Sequence, residues 1–245
     1  LYEMPAGQRG GVLRAQGEEE IKGKMSKGTE LKEGKEVGGR KVPDVVVRRL
    51  PLYLRVLEEL DVEETPIISS HELGEQSGVT PGQLRKDLSF FGVFGKQGVG
   101  YNTLYLREEL RRILRLNQQV NVGLVGVGNL GIALIHYHKP QEDPNGNGLR
   151  LVAAFDIDPQ KIGKRLLDVP IYSVAKLPEM IRQLNISIII LAVPAEVTED
   201  IFHLCIESGV RAFLNFAPGK LSAPGHVQVH TTDVTLELES LAYYR

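Results

Sequence analysis

From Val42 onward the apolar residues follow two rhythms, and the change between them divides the chain. In the first stretch Val46, Leu50, Tyr53, Leu57 and Leu60 recur in steps of four and three, the spacing of a helix with one buried face. Pro51 lies inside that run and predicts a kink or a split there. In "SSHELGEQSG", Ser69 and Glu72 have capping-box spacing and Gly78 ends a second helix. A third helix opens in "VTPGQLRKDLSFFG". There Thr80 caps, Pro81 takes the first helical position, Gln83 completes an S/T-x-x-E/Q box and Gly92 closes the segment. Two short helices around a glycine-containing turn, behind a longer helix, predict a helix-turn-helix. The run "VFGKQGVGYNT" (93–103) alternates glycines with apolar or aromatic residues and reads as a hairpin wing. A bridging helix is expected in "TLYLREELRRILRLN" (103–117).

Beyond 118–120 the pattern changes to strands alternating with helices. "VNVGLVGVG", "GLRLVAAFD", "IYSV", "ISIIILAVP", "VRAFLNFAP" and "HVQVHTTD" read as successive strands, with helices at 130–138, 175–184 and 195–208. Continuous apolar runs such as "IIILAV" belong to strands buried on both faces. The expected fold class is α/β: an N-terminal winged helix-turn-helix domain at 41–118, then a Rossmann-like doubly wound parallel sheet at 119–232. Residues 1–40 are rich in Gly, Lys and Glu and hold little apolar surface to offset ordering, so they are expected to form a disordered tail.

Charge narrows the reading only locally. A net charge of −2 excludes a chain-wide basic surface, and residues 41–120 carry eleven basic and eleven acidic side chains, so any DNA contact must rest on a local concentration. A lone Cys205, in the apolar run "IFHLCI", excludes an intramolecular disulfide and is expected to be a small buried hydrophobe in a cytoplasmic protein. The longest apolar run, "ISIIILAV" (186–193), is too short to span a membrane, and no signal-peptide core is evident.

Candidate chemistry sits in "VGLVGVGNLGIAL" (122–134), which contains Gly126-Val127-Gly128-Asn129-Leu130-Gly131, a full G-x-G-x-x-G between an expected strand and helix. Gly126 permits a tight turn, Gly128 lets backbone approach a pyrophosphate, and Gly131 allows close helix–strand packing. Asp156 ends the second strand, twenty-five positions after Gly131, with the insert at 139–148 accounting for the excess length. Its carboxylate suits ribose hydroxyls and repels a 2′-phosphate, so NAD(H) is expected over NADP(H). Val193, Pro194 and Asn215 fall along the nicotinamide side of the cleft, although Asn215 equally suits a plain strand-end polar residue. The histidines at 71, 136, 138, 203, 226 and 230 show no metal spacing and no acid/base partner, so neither a metal site nor a catalytic residue is assigned. On the third helix Leu84, Leu88 and Phe91 share a face, which leaves Gln83, Arg85, Lys86 and Ser89 to project outward toward base edges and phosphates. Lys96, Gln97 and Gly98 at the wing, with Tyr101 nearby, are placed to enter a minor groove. Two other readings stand beside a DNA-binding sensor: an NAD-dependent oxidoreductase with a helical accessory domain, and an adaptor with a vestigial nucleotide site.

The chain from residue 42 onward resembles the Rex family of bacterial redox-sensing transcriptional repressors. The resemblance rests on "RLPLYLR" (49–55), "QLRKDLSFFGVFGKQGVGY" (83–101), "VGVGNLG" (125–131), "AAFDIDPQKIG" (154–163), "LNFAP" (214–218) and "TTDVTLELESLAYY" (231–244). It implies a homodimer, not an enzyme, that binds a palindromic operator at a low NADH/NAD⁺ ratio and leaves it when NADH binds. It also implies operator contacts at Arg85 and Lys86, a wing at 96–101, and cofactor contacts at the three glycines and Asp156. Tyr137 and Asp233 match positions near the nicotinamide, and Arg55 matches a position linking the two domains. Residues 233–245 are expected to be the dimer-crossing helix, while residues 1–40 have no counterpart in the family.

Overall fold

The computed structural model describes residues 36–37, 40–92, 94–96, 98–137 and 148–245, so most of the expected tail, with Gln97, His138 and the insert after it, lies outside the described residues. Two short strands that the pattern did not predict, β1 (Glu36–Val37) and β2 (Arg40–Lys41), pair antiparallel ahead of the first helix.

Helix α1 (Asp44–Glu59) buries Val46, Leu50, Tyr53, Leu54, Val56 and Leu57. The helix runs on through Pro51, so of the kink or split expected there the split is not made. The missing proline N–H deprives Val47 of a helical partner, but Val47 and Pro51 both face solvent. Water can satisfy the freed carbonyl while the buried face continues past it. Strand β3 (Ile67–Ile68) follows, also absent from the pattern reading. Helix α2 (Ser70–Gln76) carries the full capping box between Ser69 and Glu72. Helix α3 (Pro81–Ser89) starts on Thr80, whose hydroxyl accepts from the Gln83 N–H. The box expected there is only half made, because the Gln83 side chain bonds elsewhere.

Strands β4 (Gly95–Lys96) and β5 (Gly100–Asn102) form the wing, and β3 adds a third strand against β5. Helix α4 (Thr103–Ile113) is capped by Asn102. One apolar core, built from Leu50, Tyr53, Leu57, Leu73, Leu84, Leu88, Leu106 and Leu110 among others, joins all four helices to the wing. The three-helix-and-wing arrangement expected from the pattern is the one observed.

The second part is a parallel sheet made by β6 (Gln119–Val125), β7 (Gly148–Asp156), β9 (Val169–Ser173), β10 (Ile186–Leu191), β11 (Ala212–Asn215) and β12 (Gln228–Thr231). The short strand β8 (Arg165–Leu166) pairs antiparallel with β9 at one edge. The sheet order is β12-β11-β10-β6-β7-β9-β8, so the chain runs outward from β6, returns across it and runs out the other way. That reversal makes a doubly wound sheet with its switch point between β6 and β10. Helix α5 (Asn129–Tyr137) covers one face, where Ile135 packs with Val122, Leu124, Leu151 and Ala154. Helices α6 (Leu177–Gln183) and α7 (Ala195–Glu207) cover the other, with Phe202 and Cys205 set against Val125, Phe155, Ile189 and Phe213. Burial pushes the Cys205 thiol up to about 12, so it is an inert apolar group as expected. The final helix, α8 (Val234–Leu241), buries none of its residues within this chain.

Phe202 is fully buried and meets Phe213 edge-on, with ring centroids 4.7 Å apart. Phe202→Ala should lower unfolding free energy by about 3–5 kcal/mol, through lost transfer energy and a residual cavity. Chemical denaturation followed by circular dichroism checks this; a loss below about 1 kcal/mol would mean that α7 does not anchor the sheet.

Candidate functional site

Two polar sites stand out, one in each part of the fold. In the first, α3 presents Arg85, Lys86 and Ser89 to solvent, while Leu84, Asp87 and Leu88 are buried. Arg85 Nη1 donates to Ser70 Oγ at 2.8 Å, which ties the exposed guanidinium to the first turn of α2. Together with the wing, these helices enclose a groove of about 630 Å³ lined by Ser69, Ser70, Arg85, Lys96, Gly98 and Tyr101 among others. Lys96 and Gly98 are on the exposed side of the wing, and Gly98 adopts φ +76° at its turn. Gln97 lies outside the described residues. Tyr101 differs from the expectation of a reaching side chain: it is buried in the core, and that burial raises its phenol pKa, opposed by the nearby Arg85 charge.

Gln83 also turns inward instead of projecting. Its amide donates to Asp87 Oδ1 at 2.6 Å, joining a network unseen in the sequence reading. Arg49 grips the same carboxylate with Nε at 2.6 Å and Nη2 at 2.9 Å, and the Tyr53 hydroxyl donates to it at 2.6 Å. Four donors thus meet a fully buried carboxylate, which has about four acceptor positions. Burial by itself would raise the Asp87 pKa, but the bonds from Arg49, Tyr53 and Gln83 outweigh it and hold the carboxyl below its usual range. Burial and the same anion push the Tyr53 phenol well above its ordinary value. A sequence signal did exist: Asp87 shares the helical face of Leu84, Leu88 and Phe91, so a charge there required a buried partner.

The second site lies where β6 runs into α5. Gly126 adopts φ +95°, and a Cβ on it would stand 2.3 Å from the Ala192 carbonyl oxygen. A Cβ on Gly131 would stand 2.0 Å from the Gly126 carbonyl oxygen. Backbone therefore touches backbone at both positions, and only glycine fits. Gly128 is different, because a Cβ there would meet nothing within 4 Å. The protein's own packing gives no reason for glycine at 128, and the space in front of it is open. The first N–H groups of α5, from Asn129, Leu130 and Gly131, open toward that space with the positive end of the helix dipole.

Asp156 closes the other side. Its Oδ2 accepts from the Val127 N–H at 2.8 Å and from the Lys161 ammonium at 3.3 Å, while Oδ1 accepts from the Asp158 N–H at 2.9 Å. Burial would raise its pKa, yet the N–H groups of Asp158 and Val127 and the Lys161 charge prevail and keep the carboxyl below its ordinary range. Val193 is half-buried two residues beyond β10, and Pro194 occupies the N-cap position of α7. Asn215 is buried, and both ends of its amide bond Ala217 backbone at 3.0 Å. Its side chain is therefore occupied in building the turn after β11.

Two family models match the chain: "Putative DNA-binding protein N-terminus" over residues 41–89 and "CoA binding domain" over residues 117–219. The redox-sensing transcriptional repressor Rex of Natranaerobius thermophilus is 42% identical over 202 residues, covering 82% of this chain and 90% of that protein. The chain belongs to the Rex family. Among solved structures, the Rex-family repressor RSP in complex with β-NAD⁺ and operator DNA matches with a TM-score of 0.74 and 36% identity, over 83% of this chain and 92% of that one. RSP in complex with β-NADH matches with a TM-score of 0.70 and 34% identity, over 84% and 94%. As a Rex protein the chain is a redox-sensing transcriptional repressor and not an enzyme.

The three positions that the Rex resemblance assigns to redox coupling are not joined to one another among the described residues. Arg55 is exposed and pairs with Glu59 at 3.3 Å, Tyr137 is 86% exposed at the end of α5, and Asp233 caps α8 through the N–H groups of Thr235 and Leu236. Arg55 and Asp233 therefore each have a local partner, whereas Tyr137 is exposed.

Asp87 generates a stability prediction. Removing one partner of a buried ion pair costs about 3–5 kcal/mol, so Asp87→Ala should destabilise the N-terminal domain by that order at neutral pH. Because the Asp87 pKa is depressed on folding, its contribution is present above the unfolded carboxyl pKa and is lost as pH falls through the lower folded value. Denaturation at neutral and strongly acid pH should show a steep loss for the natural chain and a flatter one for Asp87→Asn. Equal pH slopes would remove Asp87 from the explanation.

Proposed function

We propose that this chain represses transcription by docking α3 and its wing on a palindromic operator, and that NADH bound at the glycine turn releases it. The observation that carries the reading is the likeness, through both parts of the chain, to RSP solved with β-NAD⁺ and operator DNA. Domain limits of 41–118 for DNA binding, 119–232 for NAD(H) and 233–245 for dimerisation accompany the proposal.

Arg85, Lys86 and Ser89 supply exposed donors on α3, with Lys96 and Gly98 on the wing for the adjacent minor groove. Gln83 and Tyr101 support this surface from behind, through the Asp87 network and the core. The glycine turn receives the pyrophosphate, Gly128, Asn129, Leu130 and Gly131 supply its N–H groups, and Asp156 receives a ribose. Val193 and Pro194 flank the nicotinamide side. NAD(H) supplies no reaction here; it is a regulatory ligand whose charge and ring shape differ between oxidation states. A ligand moves a conformational equilibrium only by binding one state better than the other, so NADH must prefer a dimer geometry that does not fit the operator. By linkage, operator DNA weakens NADH binding by the same factor.

Two recognition helices must stand one DNA turn apart, about 34–36 Å, which requires a dimer. Val234, Leu236, Leu238 and Leu241 on α8 are each more than 60% exposed, an apolar surface suited to a second copy. The redox-coupling positions Arg55, Tyr137 and Asp233 would then meet across the dimer. A repressor works beside its DNA, so the cytoplasm is its place in a bacterial cell.

The test is anisotropy on a palindromic operator with NAD⁺ held constant and NADH varied. NADH-dependent release supports the sensor, and turnover of a small carbonyl compound with NADH would favour an oxidoreductase instead. Arg85→Ala should weaken operator binding tenfold or more, equivalent to about 1.4 kcal/mol, with NADH affinity unchanged. Retained operator affinity would sink the role of α3. Asp156→Ala should weaken NADH in a fluorescence titration without altering operator affinity in its absence; coenzyme A serves as the control ligand.

A further inference from the structure

Lys161 plays no part in the reading above, yet it sits on the carboxylate that the ribose needs. The turn after β7 brings it there. Asp158 Oδ1 accepts from the Gln160 N–H at 2.8 Å, and the Asp158 carbonyl accepts from the N–H groups of Lys161 at 3.0 Å and Ile162 at 3.2 Å. Gly163, with φ +83°, then returns the chain to the sheet through its bond to the Ile171 carbonyl at 2.9 Å. The turn folds back, and the Lys161 ammonium lies 3.3 Å from Asp156 Oδ2 and 3.6 Å from Asp158 Oδ2.

Acceptor capacity makes this contact consequential. A carboxylate offers about four acceptor positions. On Asp156 three are taken, by the N–H groups of Val127 and Asp158 and by Lys161. A ribose diol brings two donors, so one present donor must leave. Both backbone N–H groups are fixed in turns, whereas Lys161 is on a flexible four-carbon stem and is 35% exposed. Lys161 is the donor that can yield. Once displaced, its charge would stay near the ribose, because Lys161 is tethered to the same short turn as Asp156 and Asp158.

We propose that Lys161 is a specificity-determining residue of the dinucleotide site: it covers Asp156 in the free protein, gives way to the ribose diol, and sets how strongly a 2′-phosphate is excluded. The inference rests on the proposed NAD(H) site. Asp156 and Asp158 both repel a 2′-phosphate, and Lys161 opposes them. Replacing Asp156 by a neutral residue frees the ammonium to pair with that phosphate, so the two positions act on cofactor choice together and not independently.

The experiment is a fluorescence titration of the full chain with NADH and, separately, NADPH, for the natural protein, Lys161→Met, Lys161→Arg, Asp156→Ser and the double variant Asp156→Ser/Lys161→Met. Lys161→Met should raise the preference for NADH over NADPH about fivefold, and Lys161→Arg should keep the natural ratio. Asp156→Ser should shift preference toward NADPH at least tenfold with Lys161 present, and less than threefold with Met at 161. An equal Asp156→Ser shift in both backgrounds, or an unchanged ratio in Lys161→Met, overturns the role of Lys161 while leaving the NAD(H) site standing. Failure of the natural chain to bind NADH overturns both.

Discussion

Three backbone segments meet at the top of the sheet with no room for a side chain between them. The Gly126 turn lies against the Ala192 carbonyl, and α5 lies against the Gly126 carbonyl through Gly131. This close approach depends on parallel pairing of β6 with both β7 and β10, which aligns Val125 with Phe155 on one side and Leu191 on the other. Helix α5 consequently starts at the switch point of the sheet, with its free N–H groups facing the open space beside Gly128. The Val127 N–H completes the arrangement by binding Asp156. One carboxylate at the end of β7 thereby holds the turn at the end of β6, beside the space that the proposed nucleotide site uses.

The N-terminal part solves a different problem. Helix α3 offers polar groups outward, and a short amphipathic helix of nine residues has little surface with which to hold itself. The apolar residues Leu84 and Leu88 supply the burial, but greasy contacts tolerate rotation. The Arg49–Asp87–Tyr53–Gln83 network adds direction, because a bidentate guanidinium and a phenol fix the carboxylate in space. Arg85 is anchored to Ser70 at the same time. Helices α1, α2 and α3 are thus tied by polar bonds across an apolar core, and the exposed Arg55 is carried on the same α1 that holds Arg49.

Redox sensing needs these parts to communicate, and the chain carries unused surfaces suited to it. Tyr137 and the apolar residues of α8 are exposed, while Asp233 is confined to a cap and Arg55 to an exposed pair worth little in water. Weak local partners of this kind are easily exchanged for partners on a second copy. The buried ion pair at Asp87 lies inside the N-terminal part, while the pair at Arg55 is exposed.

Much of this was legible from residue order. The 3.6-residue rhythm of α1, the cap residues Ser69 and Thr80, the glycine fingerprint and the apolar strands depend on neighbours along the chain, and such signals survive without a fold. The Rex motifs likewise indicated both halves. The split that Pro51 allowed is not made, because local rules count a lost hydrogen bond but not the water that replaces it or the buried face that continues. Strands β3 and β8 have two residues each, too short for any periodicity. The inward turns of Gln83 and Tyr101, the use of Asn215 as a turn brace, and the meeting of Lys161 with Asp156 were decided by tertiary structure. Side-chain direction depends on which acceptor lies within about three ångströms, and that acceptor can be far away in sequence, as Asp87 is from Arg49. Residue order determined the elements and the type of ligand each could hold; packing decided which polar groups are committed within the protein and which remain for DNA and nucleotide.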